Sequence, residues 1–115
     1  MHELSIVEAL IDQVKSELDR TGQQGRVLRL ELSIGRLSGV NPDSIRFAFG
    51  LIGAGTLLGD AEIVIEEPKA VCHCHVCHTR TELDDLVVEC PRCAATEITI
   101  EGGREMVLQS IEIED

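Results

Sequence analysis

The sequence contains no tryptophan and no tyrosine, and Phe47 and Phe49 are its only aromatic residues. A core must therefore be aliphatic, and the aromatic platforms on which single-stranded bases stack are missing. Basic residues are scarce as well: 10 Lys and Arg stand against 21 Asp and Glu, for a formal net charge of -11. Such a body repels phosphate backbones, which argues against sequence-independent nucleic-acid binding and favours a basic protein partner or a cation. No apolar run approaches the ~20 residues that a membrane helix needs. The opening Met1-His2-Glu3-Leu4 has no basic stretch and no following apolar run, so no secretory signal is expected and the chain reads as cytoplasmic.

What is present suits a small folded body. The 115 residues are 43% hydrophobic, enough for one compact domain or a domain with an appendage. Leu4, Val7, Leu10, Ile11, Val14 and Leu18 recur at helical steps and predict an amphipathic helix, with Ser5 and Glu8 as a capping box and Gly22 as its stop; a start a residue or two earlier is also open, and either way Met1 and His2 sit at or just outside its N-terminus. Leu28, Leu30, Leu32 and Ile34 alternate with polar residues and predict a half-buried strand. Asn41-Pro42-Asp43 reads as the start of a second helix that buries Ile45, Ala48, Phe49 and Ile52 and ends near Gly53 or Gly55. Ala61 to Glu67 alternates again, stopped by Pro68. From about Val71 to Ala95, cysteines and histidines replace the apolar pattern. Ile98 and Ile100, a Gly102-Gly103 turn, and Met106 to Glu114 then read as two more strands, the last with Val107, Ile111 and Ile113 on one face. The expected fold class is α+β: two helices packed on a small mixed sheet, with an inserted zinc-ribbon-like knuckle. Residues 1–70 and 104–115 would form the α/β domain and 71–103 the metal-binding domain.

The cysteines are Cys72, Cys74, Cys77, Cys90 and Cys93. Cys74-His75-Val76-Cys77 and Cys90-Pro91-Arg92-Cys93 are two C-x-x-C turns, whose two-residue spacers let both sulfurs of a turn reach one ion. Two such turns close a tetrahedral four-thiolate site with no open position, which suits structure rather than catalysis. Zinc is favoured over iron, although sulfur donors accept both. Cys72 is left over, either a bystander thiol or a substitute for Cys74. His73, His75 and His78 surround the turns, either as solvated neighbours or as groups that alter ligation with pH.

His2-Glu3 lacks the second histidine of H-E-x-x-H, because position 6 is Ile, and no triad or phosphate loop is visible, so no enzyme is expected. The Met1 amine, the His2 amide and imidazole nitrogens and the Glu3 amide nitrogen can form fused chelate rings around one ion. Planar nitrogen ligation favours Ni(II) or Cu(II). A solvated terminus is the plainer reading of the same residues.

With these residues in place, the chain resembles the HypA/HybF family of nickel metallochaperones. The start Met-His-Glu-Leu-Ser-Ile, the segment Ile34 to Val40 followed by Pro42 to Phe49, the paired cysteines and the closing Ser110 to Ile113 are similar to that family in order and spacing. The resemblance implies Ni(II) as transient cargo, with His2 as ligand beside the Met1 amine and the Glu3 backbone. It also implies a structural Zn(II) on Cys74, Cys77, Cys90 and Cys93. The job it implies is delivery of nickel to the large-subunit precursor of a [NiFe]-hydrogenase, with a GTPase partner of the HypB type. Some members also serve urease, which would bring in urease maturation factors. Two other readings compete: a zinc-ribbon protein-interaction or transcription-associated module, and a rubredoxin-like electron carrier.

Overall fold

A computed structural model of the protein describes residues 2–56 and 58–114, with the backbone alone at His2. The elements run α1 (His2–Thr21), β1 (Val27–Ile34), α2 (Pro42–Ile52), β2 (Glu62–Glu66), β3 (Ala70–Cys74), β4 (Arg80–Leu83), β5 (Ile98–Glu101) and β6 (Met106–Ile113). The strands form two three-stranded sheets, in the orders β2-β1-β6 and β4-β3-β5. This is an α+β fold with two small sheets, where periodicity alone suggested one. No helix among the described residues is long and apolar enough to cross a membrane. The chain divides into two compact units: Met1–Leu32, Val40–Ile65 and Leu108–Asp115 in the first, Ser33–Gly39 and Glu66–Val107 in the second.

In the first unit, α1 buries the stripe Val7, Leu10, Ile11, Val14 and Leu18, as its three- and four-residue spacing dictates. It ends where Gly22 turns left-handed at φ 74. There the Gly22 amide donates to Asp19 O at 3.3 Å and the Gln23 amide to Leu18 O at 3.0 Å. These paired bonds are a Schellman stop, and they satisfy carbonyls that the helix leaves over. The start lies ahead of the expected capping box, with His2 at the N-terminus. The helix begins at His2, so Ser5 lies inside it and forms no capping box with Glu8. Nothing in the segment before Ser5 opposes helix, since it holds neither glycine nor proline.

Helix α2 starts as read: Asn41 caps it, its side-chain oxygen accepting from the amides of Asp43 at 2.8 Å and Ser44 at 3.3 Å, with Pro42 in the first turn. Ile45, Ala48 and Phe49 are buried, and the Gly53 amide closes the end by donating to Phe49 O at 2.8 Å. In β1, Leu30, Leu32 and Ile34 are buried as expected, but Leu28 is exposed and Val27 takes the inward place. The alternation that holds from Leu30 to Ile34 therefore breaks at the strand's first step.

In the second unit, β3 is the central strand and pairs antiparallel with both neighbours. Ala70, Cys72 and Cys74 point inward along it by the two-residue alternation of a strand. Ala70, Cys72 and Leu83 form a small core against Leu37, Val87, Ile98 and Ile100. The 33–39 segment is stitched to this unit by backbone bonds from Gly35 to Glu105 O at 2.8 Å, Arg36 to Pro68 O at 3.0 Å and Leu37 to Gly103 O at 2.6 Å. The approach admits no side chain, because a Cβ on Gly35 would lie 2.2 Å from the Gly103 backbone. The Gly102-Gly103 turn links β5 and β6, but these belong to different sheets rather than to one hairpin. Along β6 the half-buried apolar positions are Leu108, Ile111 and Ile113, and Val107 is exposed.

Candidate metal centre

Two turns of the same design carry the paired cysteines. Cys74 ends β3, and Cys77 lies in the turn toward β4. The amides of Val76 and Cys77 both donate to Cys74 Sγ at 3.4 Å. The turn is closed by the Cys74 amide on Thr79 O at 3.1 Å, with His78 left-handed at φ 61. The second turn repeats this at a shift of sixteen residues. The Arg92 amide donates to Cys90 Sγ at 3.4 Å, the Cys90 amide donates to Ala95 O at 2.8 Å, and Ala94 is left-handed at φ 64. In both, the two-residue spacer folds the chain so that backbone N–H groups face the first sulfur.

The turns bring four sulfurs together. The Sγ atoms of Cys74, Cys77, Cys90 and Cys93 all lie within 4.8 Å of one another. Across the turns, Cys74 and Cys93 are 3.6 Å apart and Cys77 and Cys90 are 3.7 Å apart. A tetrahedron with Zn–S bonds of ~2.3 Å has edges of about 3.8 Å, so the separations fit an enclosed four-thiolate ion. All five cysteines are free thiols.

Electrostatics prepares the four unequally. Amide donors from Cys93 and Arg92 outweigh burial and hold Cys90 down to about 6. The Thr79 hydroxyl and amide lower Cys77, and Thr79 Oγ1 lies 3.0 Å from its sulfur. Cys93 is pulled down by the Ala95 amide, but desolvation of its sulfur and the thiols of Cys74, Cys77 and Cys90 prevail and push it up to about 12, although the residue as a whole is exposed. A cation that favours thiolates at all four positions removes this conflict.

Cys72 is no part of the cluster. It is buried in the small core, where desolvation first and then the neighbouring cysteines raise its pKa. Of the alternatives left open by spacing, the structure takes the bystander. The two share the inward face of β3, but Cys72 lies one two-residue step, roughly 6.6 Å, back from Cys74 and so meets the core instead of the sulfur cluster. His73, His75 and His78 lie outside the four-sulfur group as well. Thr79 was not singled out by sequence reasoning. Its only signal is a hydroxyl residue two places after the second cysteine of a turn.

The other candidate site lies at the start of α1. Met1 and the His2 side chain are outside the described residues. The backbone of His2 and Glu3 is the first part of the helix.

Comparisons with known proteins agree with this picture. A family model described as hydrogenase/urease nickel incorporation, metallochaperone, hypA, matches residues 1–113. A hydrogenase maturation factor HypA of Chlorobium limicola is 43% identical over 115 residues, spanning 100% of this chain and 98% of that protein. Its counterpart in Chlorobium luteolum is 36% identical, over 100% and 97% of the two chains. The solution structure of the Ni metallochaperone HypA from Helicobacter pylori is similar with a TM-score of 0.64 at 26% identity, over 96% of each chain.

Proposed function

Because the chain belongs to the HypA family, which comprises metallochaperones for hydrogenase and urease nickel incorporation and not enzymes, we propose that it carries Ni(II) at its N-terminus and zinc in its cysteine cluster. Nickel would be held by the Met1 amine, the His2 amide and imidazole, and the Glu3 amide. Cys74, Cys77, Cys90 and Cys93 would hold zinc for architecture. Residues 1–70 and 104–115 then serve as the nickel-handling part and 71–103 as the zinc-binding part. The cargo passes, in the cytoplasm, to a [NiFe]-hydrogenase large-subunit precursor with a HypB-type GTPase, or toward urease through its maturation factors.

The observation that carries this reading is the start of α1 at His2. The first N–H groups of a helix have no intrahelical acceptor, so the His2 and Glu3 amides can lose protons to a metal without breaking a helix bond. The positive end of the helix also favours the anionic nitrogens that result. Because those nitrogens and the imidazole compete with protons, acidification or a competing partner releases the ion. The cysteine cluster, by contrast, offers an enclosed four-sulfur set suited to retention.

The test is metal analysis and nickel titration of untagged protein and of His2→Ala. We expect the variant to lose stoichiometric nickel at this site while keeping one zinc per chain. Unchanged nickel affinity at the chain's start in His2→Ala would refute the site.

A further inference from the structure

Strand alternation in β3 has a second result. With Cys72 and Cys74 turned inward, His73 and Val71 face outward on β3, and His75, one residue past its end, continues that outward row. Neighbours on one face of a strand stand roughly 6.6 Å apart, within reach of one ion if the two imidazoles turn toward each other; in this structure each Nε2 meets a different β5 residue, and the donors are not gathered as the four sulfurs are. On β5, Thr99 and Glu101 occupy the same exposed face, with Thr99 directly opposite His73. Both imidazoles reach toward β5: His73 Nε2 is 3.4 Å from Glu101 Oε2, and His75 Nε2 is 2.6 Å from Thr99 Oγ1.

We propose that this outer face, formed by His73, His75 and Glu101, is a second and weaker binding site for a divalent late transition metal, Ni(II) in particular. Two imidazoles and one carboxylate are donors that such ions accept. Thr99 is a neutral hydroxyl that an ion displaces from His75 without leaving a buried group unpaired. The surroundings set the strength. Arg80 stands across from His73 and opposes a cation, whereas Glu82, across from Val71, and Glu97, opposite His75, favour one. Three protein donors leave coordination positions for water or for a donor from another protein, so an ion held here is open to exchange. The closed sulfur cluster offers no such position.

The experiment uses the full chain loaded with zinc and carrying His2→Ala, so that its outcome is independent of the N-terminal site. Nickel is added alone and followed by calorimetry, by zinc content, and by the near-ultraviolet absorption of nickel thiolate. We expect one nickel equivalent to bind with zinc retained and no thiolate absorption. His73→Gln or His75→Gln should weaken it at least about tenfold, Glu101→Gln by less, and the double histidine variant should abolish it. Paramagnetic broadening in the same zinc-loaded His2→Ala protein, a readout that needs no substitution at the proposed ligands, should centre on residues 73, 75, 99 and 101. The proposal falls if the His2→Ala protein takes up no nickel, if uptake is the same in the double variant, if nickel enters the sulfur cluster, or if broadening centres elsewhere.

Discussion

The two units of the molecule reach order by different means. The first is built around aliphatic side chains: α1 alone buries Val7, Leu10, Ile11, Val14 and Leu18, and Leu30, Leu32, Ile45 and Phe49 add to that core. Its helix ends carry their own stops, Asn41 and Gly53 on α2 and Gly22 on α1. In the second, the buried apolar cluster comprises Ala70, Cys72 and Leu83, with four half-buried neighbours. So small a core offsets little of the conformational entropy of its long loops, and an ion on the four thiolates would supply the rest. Hydrophobic burial acts gradually and tolerates loss; metal ligation is nearly all or none. That difference suits a division of labour between an apolar unit and a unit that would depend on its metal.

Removing the ion tests the comparison most severely. Apparent zinc binding in small sites is worth roughly 10–16 kcal/mol, so a strong chelator should abolish amide-exchange protection in β3, β4 and β5 while α1 and α2 stay protected. Uniform loss of protection across the chain would erase the distinction. In the first unit, Leu30→Ala should cost about 2–5 kcal/mol in chemical unfolding and leave zinc content at one per chain. A variant that sheds zinc in proportion would show that the two forms of order are coupled.

A smaller effect concerns protons. Cys90 titrates at about 6 instead of 9.0, so its thiolate is favoured by the folded turn above the unfolded value, and that advantage is lost as pH falls through 6. Zinc retained by the folded chain against a limiting amount of chelator should therefore fall as pH drops from 7 to 5, read by metal content. Retention that stays level over that range would count against protonation of this thiol in the folded turn. The smallest change is at a cap: Asn41→Ala should lower stability by about 1 kcal/mol through two unsatisfied amides of α2, without any change in zinc content.

Much of the first unit was legible because its side chains state their period without ambiguity. The α1 stripe and the Asn41-Pro42 helix start are local signals, complete within a few residues. The capping motif at Ser5 misled because Ser-x-x-Glu also fits a helix interior, and only the chain's preceding residues decide. The second unit was harder to read, for a chemical reason. Cysteine is both a metal ligand and a small apolar residue. Reading Cys72 and Cys74 as chemistry hid the alternation Ala70, Cys72, Cys74 that makes β3 a strand, and β4 was missed with it. The four sulfurs themselves were plain from their spacing. The shared role of Thr79 was not, since a hydrogen bond to sulfur leaves no period in a sequence.

The residues just behind each cysteine pair, His78 and Ala94, hold a backbone conformation that glycine adopts freely and other residues resist by about 1–2 kcal/mol each. Neither turn uses glycine there. The loops are thus wound slightly against their own preference, like two light springs that an ion on the four sulfurs would keep compressed. Glycine at both places would relieve that winding but add freedom to the unordered chain, so the natural side chains exchange a little strain in the turn for fewer states to lose when the centre forms.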